Sequence, residues 1–220
     1  RRLFQGSMNI KLSFTPISQS SVDLLVFVLD ADKTLHEVDD PAIRAHVEKA
    51  ASLFREKSLK REYFATLPDG APARALVAYW SPSLKSWNLW ENVKTCTARG
   101  LRLARDYRHA RVGVALNSAA AAPLVGKVTE GAILGAYTFD RYKQEKDEFL
   151  TREAQIHVLV HPDHQADAEA RKARYAWVSE NQNRARDLIN EPGSVVTPAR
   201  IADLAAEAAK EVGLEAEILD

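Results

Sequence analysis

Five arginines recur at every third position: Arg99, Arg102, Arg105, Arg108 and Arg111. His109 lies among them, and Asp106 is the only opposing charge within the run. A row of guanidinium groups matches the spaced charges of a phosphate backbone, whose neutralisation supplies affinity independent of base sequence. At i+3 spacing the charges drift slowly round a helix, so three or four share one face. The row is a candidate nucleic-acid-binding surface, with DNA as the partner. The competing reading is a solvated helix face. The balance of 30 Lys plus Arg against 30 Asp plus Glu favours it, because no net field draws a polyanion to the chain.

Other constellations carry less. His157, His161, His164 and Asp163 invite a metal reading. On a strand, however, residues four apart lie about 13 Å apart on one face, too far for one ion unless the chain turns at Pro162. A strand end entering a polar turn explains them. His36, His46 and His109 have no partner at ligand spacing. Cys96, the single cysteine, falls on the inward side of a helical pattern and reads as a small buried hydrophobe, since a nucleophile needs a base and an oxyanion site. Neither a Gly-x-Ser-x-Gly elbow nor a phosphate-binding Walker loop is present. Trp80, Trp87 and Trp90 cluster round Ser81-Pro82-Ser83 and read as core and interface packing.

Elements that position these residues follow from periodicity. Leu3-Phe4-Gln5-Gly6 resembles a viral 3C protease site, so residues 1–7 read as an expression-tag remnant, with no signal peptide after it. Ile10, Leu12 and Phe14 alternate as a half-buried strand, and the continuous apolar run 24–29 suits a strand covered on both faces. Asp40-Pro41 opens a helix with Ile43, Val47, Ala50 and Phe54 on one side. Strands are expected at 62–67, 74–80, 110–116 and 154–160, with the turn Pro68-Asp69-Gly70 between the first two. Helices are expected at 87–106 and 119–142. In the second, Gly131 and Gly135 flatten one side and admit a close neighbour.

Strands alternating with helices predict an α/β domain, three layers deep, with a mixed or mostly parallel sheet between helices, over residues 9–165. Residues 167–190 read as one long polar helix, roughly 36 Å at 1.5 Å per residue, of the kind that bridges domains. Its apolar stripe is sparse: Ala170, Ala173, Trp177 and Leu188. Thr197-Pro198 then opens another helix with Ile201, Leu204, Ala208 and Val212 inward and Gly213 at its end, and 215–219 reads as the start of a strand. One cysteine and no apolar run near the ~20 residues of a membrane span predict a reduced, cytoplasmic protein with no membrane partner.

Two segments resemble the leucyl aminopeptidase (cytosol aminopeptidase) family. Asn183-Arg-Ala-Arg-Asp-Leu-Ile-Asn-Glu-Pro192, continuing to Val195-Val-Thr-Pro198, is similar to the family's domain-junction pattern. Glu130-Gly-Ala-Ile-Leu-Gly-Ala-Tyr-Thr-Phe-Asp-Arg-Tyr-Lys143 resembles a segment near the end of its first domain. Together they cover about 30 residues of the chain. Ala199-Arg200 departs from the acidic residue usual in the following helical turn, which weakens that cap.

The resemblance implies a macro-like amino-terminal domain over 9–165, an interdomain helix over 166–191 and the start of a catalytic domain over 192–220. It also implies a full-length enzyme that releases N-terminal amino acids from peptides. Such an enzyme works as a homo-hexamer with two divalent metals (zinc, manganese or magnesium) in its catalytic domain. The family's Gly-Lys-Gly-x-Thr-Phe-Asp and Asn-Thr-Asp-Ala-Glu-Gly-Arg motifs do not occur here, so no catalytic or metal-binding position carries over. The expectation is an inactive accessory domain that packs on its own catalytic domain, cut off before the catalytic residues begin. The macro fold also raises a nucleotide-binding alternative, disfavoured because the glycines never cluster as phosphate loops need.

Overall fold

The structure is a computed structural model. It describes residues 9–30, 38–81, 86–115, 121–145, 147, 149, 155–159 and 165–219. Among the described residues six strands and five α-helices follow one another along the chain. They are β1 Asn9–Ser13, β2 Val22–Asp30, α1 Pro41–Arg55, β3 Glu62–Thr66, β4 Ala73–Ser81, α2 Ser86–Asp106, β5 Arg111–Ala115, α3 Ala121–Gly135, β6 Gln155–Leu159, α4 Gln165–Asn190 and α5 Pro198–Glu211. The strands form one sheet in the order β1-β6-β5-β2-β4-β3. Every neighbouring pair is parallel except β3–β4, so the mixed sheet is parallel with one antiparallel edge.

The central strand β2 is buried along both faces, as its unbroken apolar run requires. Leu24, Val26 and Val28 meet Val93, Cys96, Leu101 and Ala104 of α2 and Val125, Val128 and Ala132 of α3. Leu25, Phe27 and Leu29 turn the other way, onto Ile43, Val47, Ala50 and Phe54 of α1. Three layers result. The α1 cap is local: the Asp40 carboxylate accepts from the Ile43 N–H at 3.0 Å, with Pro41 at the first helical position.

α2 and α3 lie unusually close because glycine faces backbone. A Cβ on Gly131 would stand 2.4 Å from the Lys94 carbonyl oxygen, and one on Gly135 would stand 2.6 Å from the Ala98 Cβ. Four charges tie the same pair. Lys127 Nζ lies 2.9 Å from Glu91 and 2.7 Å from Glu130, while Lys94 meets both glutamates. Hydrogen bonds from Lys94 and Lys127 hold the Glu91 carboxyl below its ordinary pKa. The Lys127 ammonium also lies 5.7 Å from the centre of the Tyr175 ring of α4.

Three expectations change. α3 ends at Gly135, seven residues short of the expected 142, and the chain from Ala136 runs irregularly. Glycine disfavours helix, and Ala136 turns into a small apolar cluster with Phe149. On α4 the buried residues are Ala168, Ser179 and Asp187, whereas Ala170, Ala173 and Trp177 are exposed, Trp177 at 69%, and Leu188 is half-buried. The expected apolar stripe therefore points outward, because the packing line of the helix runs through Ala168, Tyr175 and Ser179 instead. Residues 215–219 form no strand. A strand needs a neighbour to complete its backbone hydrogen bonds, and no strand among the described residues pairs with this segment.

The chain divides into two compact units, residues 1–181 and 182–220. The first holds the sheet. In the second, α5 starts as expected, with Thr197 Oγ1 accepting from the Arg200 N–H at 3.2 Å and Pro198 following. It stops at Gly213 in the left-handed region (φ 72°), where the Leu214 N–H reaches back to the Ala209 carbonyl at 2.9 Å.

Candidate functional site

The arginine row begins on α2 and outlives it. The helix stops at Asp106, and Arg108 takes a left-handed conformation (φ 54°) while the His109 N–H bonds the Ala104 carbonyl at 2.8 Å. Only Arg99, Arg102 and Arg105 are helical. At ~100° per residue they fan over about 120°. Arg108 stands in the turn and Arg111 opens β5.

Carboxylates distant in sequence then engage the later arginines. Arg108 Nη1 lies 3.2 Å from Asp147, and its guanidinium sits 5.1 Å from the Phe149 ring centre. Buried Asp23 accepts from the Arg111 N–H at 2.8 Å and meets its Nη2 at 3.4 Å, while Arg111 Nη1 donates to Ser21 Oγ at 3.0 Å. Arg74 approaches Asp23 at 3.6 Å. Arg105 leans on Asp106, also at 3.6 Å. Arg99 and Arg102 are exposed and form no ion pair among the described residues. The structure thus places the five arginines on a helix, a turn and a strand rather than along one face. Sequence reasoning missed Asp23 and Asp147 as partners. No local signal marks either, since both lie far along the chain.

Beside the arginines runs a stack of rings. Phe64 lies 5.6 Å from Tyr107, and Tyr107 lies 6.0 Å from His109, all nearly parallel. Burial pushes the His109 imidazole below its ordinary pKa; Asp23 opposes this and Arg74 adds to it. Tyr79, under α2, has its hydroxyl pKa raised by burial and by Glu62 and Cys96, with Arg99 and Arg102 pulling the other way.

The remaining candidates disperse. His157 sits on β6 between Lys11 and Gly113, its pKa lowered by burial and by Lys11 and Arg111. His161, Asp163 and His164, and His36, lie outside the described residues. His46 Nδ1 is 2.9 Å from the Tyr63 hydroxyl. Among the described residues no three His, Cys, Asp or Glu side chains gather to hold a metal ion. Cys96 is buried, and burial lifts its thiol pKa to about 11, as a core residue requires. Trp80 stacks on Phe54 at 5.3 Å; the side chains of Trp87 and Trp90 lie outside the described residues. Ligands of parallel sheets gather at the carboxyl ends of the strands. The segments following β2, β4, β5 and β6 there (31–37, 82–85, 116–120 and 160–164) lie outside the described residues. No helix of the described residues is long and apolar enough to cross a membrane.

The three-layer fold with its single antiparallel edge is that of a macro-like α/β domain. It superposes on the macro domain of ganglioside induced differentiation associated protein 2 with a TM-score of 0.50 at 14% identity, over 76% of this chain and 84% of that one. A longer match is tomato leucine aminopeptidase, with a TM-score of 0.68 at 17% identity over 95% of this chain and 43% of that one. No family model matches. Among sequence relatives, the probable cytosol aminopeptidase of Persephonella marina is 41% identical over 93 residues, 42% of this chain and 18% of the relative. That of Koribacter versatilis is 27% identical over 235 aligned positions, 96% of this chain and 46% of the relative. These likenesses of sequence and fold support reading the chain as an amino-terminal domain of the leucyl aminopeptidase family. It spans less than half the length of the curated relatives it matches.

Proposed function

We propose that this chain is the non-catalytic amino-terminal domain of a metal-dependent aminopeptidase that releases N-terminal amino acids from peptides. The supporting observation is the alignment of 96% of the chain with 46% of the Koribacter versatilis cytosol aminopeptidase. The rest of the enzyme carries the chemistry in this reading. Two divalent metals (zinc, manganese or magnesium) are held there, and the full protein assembles as a homo-hexamer. Such metals, held by residues outside this chain, would supply Lewis-acid polarisation of the peptide carbonyl and activation of water. Among the described residues no three side chains gather as a donor set for such metals, so no step of hydrolysis is assigned to them.

In this reading the domain contributes architecture: a rigid sheet on which α4 is seated through Ala168, Tyr175 and Ser179. The test is hydrolysis of leucyl-p-nitroanilide with added manganese or zinc, by this chain and by the full-length protein that contains it. We expect turnover by the full-length protein alone, abolished by chelator. Chelator-sensitive turnover by the isolated chain that survives repurification would overturn the assignment, as would an inert full-length protein.

A further inference from the structure

Among the described residues β3 is the last strand of the sheet and pairs only with β4, so its outer edge presents backbone groups that no described strand pairs. The α2-side face of β3 is uncovered as well. Glu62, Phe64 and Thr66 share that face with Tyr79, Val77 and Ala75 of β4, yet the β4 residues are buried under the helix while all three on β3 are exposed. A strip therefore runs between α2 and the edge strand. Phe64, 38% exposed, and Tyr107, 58% exposed, form its apolar end. Arg99 and Arg102 border its other end, where Glu62 and both arginines act on the Tyr79 hydroxyl. The strip combines a free strand edge, an exposed aromatic pair and two guanidiniums without carboxylate partners among the described residues.

We propose that this strip binds an extended acidic segment of a partner protein. The segment adds to the free edge of β3, lays an aromatic side chain against Phe64 and the edge of Tyr107, and sets carboxylates on Arg99 and Arg102. Strand addition supplies main-chain affinity, and alternate side chains supply selectivity. A nucleic acid fits less well. Tyr107 already stacks on Phe64 and on His109, so a base would have to compete with rings of the chain for it. Arg105, Arg108 and Arg111 are turned to Asp106, Asp147 and Asp23, so of the five arginines Arg99 and Arg102 alone lack a carboxylate partner among the described residues, and exposed Glu62 lies on the same strip. The inference stands apart from the aminopeptidase reading, because it uses no residue assigned to hydrolysis.

The test is a nuclear magnetic resonance titration of the isotope-labelled chain with the peptide Glu-Thr-Phe-Thr-Glu-Thr-Asp-Thr, whose aromatic and acidic side chains share one face of a strand. Controls are the same peptide with lysine at each acidic position, and a short oligothymidylate. We expect saturable shifts confined to the amides of residues 62–66 and 99–107 with the acidic peptide alone. Arg99→Glu/Arg102→Glu, Arg99→Gln/Arg102→Gln and Phe64→Ser should each weaken binding by ~10-fold or more, and the arginine variants should leave the thermal melting curve in place, since both side chains are exposed. Four results would overturn the proposal: no saturation by ~1 mM peptide, shifts elsewhere on the domain, equal binding of the lysine peptide, or tighter binding of the oligothymidylate to the same residues.

Discussion

Cys96 shows how one position reconciles chemistry with packing. A thiol is nucleophilic only as thiolate. Burial among Val93, Leu101 and the β2 side chains raises its pKa to about 11, with Arg99 the only opposing influence. At pH 7.5 about one molecule in a few thousand carries the thiolate. Reaction of the folded chain with dithionitrobenzoate should therefore be orders of magnitude slower than that of the chain in guanidinium. Rapid stoichiometric labelling of the folded protein would show that the thiol is accessible and the packing wrong. Gly131 and Gly135 act at the same scale. Neither requires an unusual backbone conformation; each is needed because α2 stands where a side chain would be.

At the scale of elements, the Glu91–Lys94–Lys127–Glu130 cluster fastens α2 to α3 beside those glycines. The Glu91 pKa is depressed in the folded state, so its contribution to stability is full above the ordinary value of 4.5 and is lost as pH falls through the depressed one. Lys127 works in the opposite sense. Burial opposes its charge, but hydrogen bonds to Glu130 and Glu91 outweigh that and raise its pKa above 10.5. Its contribution is full below that value and is lost in strong alkali. The partial exposure of Glu91 limits its share to less than about 1 kcal/mol. Denaturant melts of the wild type and Glu91→Gln should differ at pH 7 and converge as pH drops towards ~3. A difference that stays constant with pH would assign the loss to packing rather than charge.

Across the whole molecule the two units are held very differently. Residues of β2 and β4 are buried without exception from Leu24 to Leu29 and from Ala75 to Tyr79. α5 has no buried residue, and Ile201 and Val212 on its apolar side are exposed. A short helix owes most of its stability to tertiary packing, and this one has a good cap but little to pack on. Amides of 198–211 should exchange with deuterium close to intrinsic rates while β2, β4 and β5 are protected towards the global limit. Protection of α5 equal to that of β2 would contradict this.

The sequence determined several features that depend on neighbours three or four residues away, or two along a strand. The α1 face of Ile43, Val47, Ala50 and Phe54, the caps at Asp40 and Thr197, the flat side at Gly131 and Gly135 and the buried run of β2 were all legible. They rest on local periodicity and local hydrogen bonds. The family resemblance was legible too, in two short segments whose residue order is itself the signal. Only the tertiary structure decided the rest. Strand order is a matter of which apolar faces close together, and no local pattern encodes that β6 lies between β1 and β5. The arginine row looked uniform because helical spacing was extended past the point where the helix stops. Asp23 and Asp147 reach Arg111 and Arg108 through the fold, across 88 and 39 residues of chain. The outward stripe of α4 and the missing strand at 215–219 have the same cause: an amphipathic pattern states which residues can be buried, and only a neighbouring element buries them.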